Sequence, residues 1–78
     1  MTTYVTFGQI HKHEIGDKIF DKDCVAVIGS DTHEEGRQKA FDLFGPKFCF
    51  EYFNEEWRED EARRIQYFPR GYIEAPDK

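Results

Sequence analysis

The chain has 78 residues and a net charge of −5, and it carries eight Phe, four Tyr and one Trp. That length holds one domain, residues 1–78, near the lower size at which a single core suffices. The acidic balance speaks against direct binding to nucleic acid or anionic lipid, because neutralising phosphates needs a basic surface, and no run approaches the roughly 20 apolar residues of a membrane span. The N-terminus lacks a signal-peptide pattern. Cys24 and Cys49 are the only cysteines, sit outside any CxxC spacing and fall in apolar stretches, so both are expected as buried, reduced thiols of a cytoplasmic protein.

From Thr3 to His11 the run rich in Tyr, Val, Thr, Phe and Ile favours extended structure, with Val5 and Phe7 on one face and Tyr4 and Thr6 on the other. Gly16-Asp17 signals a turn. Ile19-Phe20 and Cys24-Val25-Ala26-Val27-Ile28 then form a second extended segment, interrupted by Asp21-Lys22-Asp23 as a bulge or exposed edge. The two segments are expected to pair as one long antiparallel hairpin.

Asp31 or Thr32 caps a helix, with Glu34 or Glu35 three residues on completing a capping box. It runs to Phe44 and stops at Gly45-Pro46. Gly36, Ala40, Leu43 and Phe44 make its apolar stripe. Residues 47–53 follow as a strand, with Phe48, Phe50 and Tyr52 on one face and Cys49, Glu51 and Phe53 on the other. Asn54 begins a short charged helix through Arg64, in which Glu59 pairs with Arg63 and Asp60 with Arg64 at i,i+4. A long hairpin arm is the alternative. Pro69 ends any helix, and residues 71–74 form a last strand. The order β-β-α-β-short α-β predicts an α+β domain: an antiparallel sheet of about four strands with one amphipathic helix packed on it.

Four constellations can carry function. His11 and His13, two apart on a strand, face one side and are weak metal candidates, wanting further ligands such as Cys24, His33 or Asp23. The same pair could serve acid–base chemistry with Arg70 on a phosphate. At helical spacing Glu55, Glu56 and Glu59 make an acidic ridge beside Trp57, suited to a basic protein surface. Finally, Tyr67, Phe68 and Tyr72 surround Arg70, a planar cation among rings that can neutralise and stack on a nucleotide, with Arg37 and His11 as further anion ligands. The same stretch also reads as a turn at Pro69-Arg70-Gly71 that seats the last strand. No catalytic residue and no cofactor is assigned.

Residues 4–13, 23–28, 35–41 and 67–73 together give the chain a resemblance to small proteins encoded by tailed phages and prophages. The resemblance implies an anti-defence role: anti-CRISPR proteins cover nucleic-acid-binding surfaces, and sponge proteins sequester nucleotide signals between subunits. The leading expectation is a non-enzymatic protein that inhibits a host protein through Glu55, Glu56, Trp57 and Glu59. The alternatives are an oligomeric binder of a small nucleotide or other anion, and a small metal-dependent hydrolase at His11 and His13. So many rings in so short a chain make a homo-oligomer as good an expectation as a monomer.

Overall fold

Alternation of side chains along an extended first segment drives its two faces to opposite cores. In the computed structural model, which describes residues 1–76, β1 (Thr2–Thr6) is flanked on both sides within one sheet. It pairs antiparallel with β4 (Cys24–Gly29), with Tyr4 opposite Val27, and antiparallel with β5 (Phe50–Phe53), with Tyr4 opposite Tyr52. The sheet order is β5-β1-β4-β6, β6 being Gly71–Glu74.

The first two segments do not form one continuous hairpin. Gly8 takes φ 67°, which ends β1 and turns Phe7 into the core. The chain then makes a separate small hairpin, β2 (His13–Ile15) with β3 (Lys18–Phe20), closed at Gly16 with φ 62°. Residues 21–23 form a turn in which the Asp21 carboxylate accepts the Asp23 backbone N–H at 3.0 Å. This turn feeds Cys24 into β4.

Helix α1 (His33–Phe44) is capped at Thr32, whose hydroxyl accepts the Glu35 N–H, and Gly45 closes it at φ 61°; the Glu35 carboxylate pairs with Lys39 at 3.5 Å rather than completing the expected capping box. Its buried residues are Gly36, Ala40 and Phe44. They lie on one sheet face over Val5, Ala26, Ile28 and the Phe7 and Phe20 rings. Phe48 joins this cluster and meets Phe41 edge-on, because β5 begins only at Phe50. Phe48 therefore does not share a strand face with Phe50 and Tyr52.

The opposite face is also covered, by the segment where a short charged helix is expected. Helix α2 (Asn54–Glu59) supplies Trp57 to a second cluster with Tyr4 and Val25, and Val27, Tyr52, Ile65 and Phe68 pack against it; helix α3 (Glu61–Arg64) connects α2 to a 3-10 turn (Ile65–Tyr67) and buries no residue itself. Trp57 stacks on Tyr4 with centroids 5.2 Å apart. The domain thus holds α+β architecture with helices on both faces of one sheet, which lets a short chain bury more rings than one core would.

The sheet is mixed rather than wholly antiparallel. β5 runs in the same direction as β4, since both oppose β1. The helical crossover after β5 spans one face and returns the chain to the starting end, so β6 pairs parallel with β4, Ala26 opposite Ile73. Among the described residues no helix is long and apolar enough to cross a membrane.

Candidate functional site

At the end of the sheet where β1 stops and β5 begins, the α3 and 3-10 layer stands off the strands and leaves a groove of about 520 Å³. Its aromatic lining is Phe50 and Tyr52 from β5, Trp57 from α2, and Tyr67 and Phe68 from the segment after α3. Its charged lining is Lys22, Arg63 and Arg64. Among the described residues no carboxylate lines it, in a chain with net charge −5. Thr6, Gly8, Gln9 and Cys49 complete the rim.

Arg64 is the distinctive group. Its guanidinium carbon lies 4.6 Å from the Tyr52 ring centroid and 5.8 Å from that of Trp57. A guanidinium, weakly hydrated and planar, stacks on rings more readily than an ammonium does. Its Nε is buried and has no hydrogen-bond partner among the described residues. The expected ion pair to Asp60 is absent because the helix breaks at that residue: Asp60 has φ −131° and ends α2 while starting α3. The break hands the Asp60 carboxylate to Arg63 at 2.7 Å instead. Glu59 is not the partner of Arg63. Lys22 pairs with Asp23 at 3.1 Å, so among the described residues Arg64 is the groove cation without a carboxylate partner.

Of the residues singled out in the sequence, Tyr67 and Phe68 line the groove, and Tyr67 is 73% exposed. Arg70 does not. Gly71 N–H bonds the Phe68 carbonyl at 2.9 Å, closing the anticipated turn, and the Arg70 guanidinium bonds the Asp21 carboxylate at 3.1 Å. Arg70 therefore clasps the entry of β6 to the turn before β4. Tyr72 accepts the Trp57 indole N–H at 2.9 Å and donates to the Glu61 carboxylate. Desolvation first, then Glu61, push its hydroxyl up, which keeps it a donor. Arg37 lies on the α1 side, bonded to Glu51 at 3.2 Å and over Phe41. His11 sits in the loop after β1, outside the groove lining.

The histidine pair does not converge on further ligands. The His13 ring packs against Phe7 and Phe44, and its Nε2 donates to the Lys47 carbonyl at 2.6 Å. Among the described residues no group of three or more His, Cys, Asp or Glu is placed to hold a metal. The acidic ridge exists as a helix, but its carboxylates are partly engaged. Glu56 accepts the Phe53 N–H at 3.0 Å, and Glu55 lies 3.7 Å from His33. Glu59 is exposed, whereas Trp57 is 1% exposed and forms the floor beneath the helix rather than a contact surface.

Both cysteines are free, but only Cys24 is buried; Cys49 is exposed on the groove rim, against the expectation for its apolar surroundings. Burial pushes the Cys24 thiol up. Arg63, Arg64, Lys22, Phe50, Tyr52 and Cys49 were not singled out as a ligand-binding set. The aromatic run at 48–53 and the Arg63-Arg64 doublet were the signals available, and the doublet was masked by the i,i+4 pairing rule.

The Asp21–Arg70 clasp gives a pH-dependent prediction. Burial alone would raise the Asp21 carboxyl, but the Asp23 N–H, Arg70 and Lys22 together outweigh it and hold the group below its ordinary range. A depressed carboxyl stabilises the fold above the unfolded-state pKa, and the contribution is lost as pH falls through the folded-state value. Arg70→Ala is expected to cost under about 1 kcal/mol at neutral pH, given partly exposed side chains, and to make the acid limb of a urea-stability profile shallower. An unchanged acid limb would refute the clasp.

No protein-family model, curated protein or solved structure matches the chain. The chemistry of the groove therefore has to carry the functional reading.

Proposed function

We propose that this protein is a binder of a small organic anion with a planar ring, nucleotides being the class that fits. The observation that carries the reading is the groove itself: rings and cations with, among the described residues, no lining carboxylate and one stacked arginine without a counter-charge. Phe50 and Tyr67, the two groove rings that the second core does not use, stand exposed beside three lining cations in a chain of net charge −5. The volume of about 520 Å³ lies within the roughly 300–1,000 Å³ usual for small-molecule sites. Stacking on exposed rings is tolerant of base identity, and a guanidinium supplies fixed donors for phosphate. The acidic ridge is the weaker support for a functional surface, because its expected aromatic anchor, Trp57, is inside the fold.

Two intrinsic reporters test this. Trp57 is the one tryptophan and lines the groove, so a bound ring is expected to change its emission. Cys49 lies on the rim and Cys24 is buried, so a thiol reagent is expected to label Cys49 alone in the native protein, more slowly when ligand is present. A panel of nucleosides and nucleotides that alters neither signal would sink the proposal.

A further inference from the structure

Resting on that reading, we infer that the ligand carries a single phosphate, as a nucleoside monophosphate does, and that Arg64 is the group that recognises it. The groove has three cations, but their charge is unevenly available. Lys22 is held by Asp23 at 3.1 Å and Arg63 by Asp60 at 2.7 Å. Arg64 has no ion pair among the described residues, and its buried Nε lacks an acceptor. Its guanidinium carbon lies 4.6 Å from the Tyr52 ring centroid, at the lining of the groove, so its charge is presented there without a counter-ion.

One uncompensated guanidinium matches one phosphate, which it can hold through two parallel hydrogen bonds. Among the described residues, further phosphates would find in the groove only Lys22 and Arg63, each already paired with a carboxylate, and would enter the field of a chain with net charge −5. The ring end of the ligand is set by the exposed apolar surface at the groove, Tyr67 at 73% and Phe50 at 59% exposed. Phosphate on Arg64 and base on Phe50 and Tyr67 is then the orientation that uses both features.

The experiment titrates the intact protein, at fixed ionic strength, with a nucleoside, its monophosphate and its triphosphate, for each of the four common bases, following Trp57 emission. The monophosphate is expected to bind about tenfold or more tighter than the nucleoside, the gain of a charge-assisted pair. It is also expected to exceed the triphosphate by about threefold or more, since Lys22 and Arg63 are already offset by Asp23 and Asp60 and the added charge meets the field of an acidic chain. Arg64→Gln should erase the advantage over the nucleoside, and Arg64→Lys should retain part of it. A triphosphate that binds tightest, or a monophosphate advantage that survives in Arg64→Gln, overturns this inference while leaving nucleotide binding intact. Failure of every probe, nucleosides included, overturns the binding reading itself. Should Arg64→Gln fail to fold, the ranking in the unaltered protein decides.

Discussion

Trp57→Ala is expected to remove about 3–5 kcal/mol of stability, the range for deleting a fully buried large ring. Trp57 is 1% exposed and touches Tyr4, Tyr52, Phe68 and Tyr72 through ring contacts between 5.2 and 6.2 Å. It is the only large ring from α2 in the second core, so its loss leaves that helix with little to bind it to the sheet. A chain of this size has a total stability on the order of 4–12 kcal/mol, so the variant should be largely unfolded under mild denaturant. Trp57→Phe keeps much of the packing and loses the indole N–H bond to Tyr72, and about 1–2 kcal/mol is expected for it. Urea unfolding followed by circular dichroism checks both. An alanine variant within about 1 kcal/mol of the parent would show that the second core does not hold the crossover in place.

Gly36→Ala is the second large effect, and its sign runs against helix propensity. In an exposed helix interior the change would stabilise by about 1 kcal/mol. Here a Cβ would stand 2.4 Å from Thr3 Oγ1, 3.0 Å from Ser30 Oγ and 3.3 Å from Thr3 Cβ. Thr3 is fully buried on β1, so its side chain has little room to retreat. Forcing α1 off the sheet is expected to cost about 1–3 kcal/mol. The Thr3 hydroxyl has no hydrogen-bond partner among the described residues, so removing it sacrifices no bond. Thr3→Ala should therefore relieve much of the penalty when combined with Gly36→Ala, with a favourable coupling of about 1 kcal/mol. Additive costs in that double-mutant cycle would place the clash elsewhere.

These two sites differ in how far they could be foreseen. Gly36 was legible as part of the buried stripe of α1, because helical period and caps are local properties: Thr32 and Gly45 do at the ends what their side chain and backbone preference dictate. That Gly36 meets Thr3 across the sheet is a tertiary fact. Trp57 was read as a surface contact because a charged run surrounds it. The charged residues are indeed outside, but the tryptophan turns inward onto Tyr4, a residue more than fifty positions away.

The candidate site shows the same division. Tyr67 and Phe68 were legible as a ring pair beside a cation, yet the cation that lines the groove with them is Arg64 rather than Arg70. Arg70 is consumed by Asp21, 49 residues distant. Arg64 is left over because a helix break at Asp60 moves one carboxylate by a single position, from i+4 to i+3. The i,i+4 rule assumes an unbroken helix, and at Asp60 the backbone leaves helical geometry at φ −131°.

The sequence by itself determined the α+β class, the extent and ends of α1, the turn at Gly16, the core character of β1 and β4, and the turn at residues 68–71. All rest on periodicity, capping and backbone preference, which act over a few residues. The tertiary structure alone decided the β5-β1-β4-β6 order, the parallel seat of β6, the second core around Trp57, and which arginine stands uncompensated in the groove. Those outcomes depend on which distant groups compete for one partner, and such competition is settled only when the whole chain has packed.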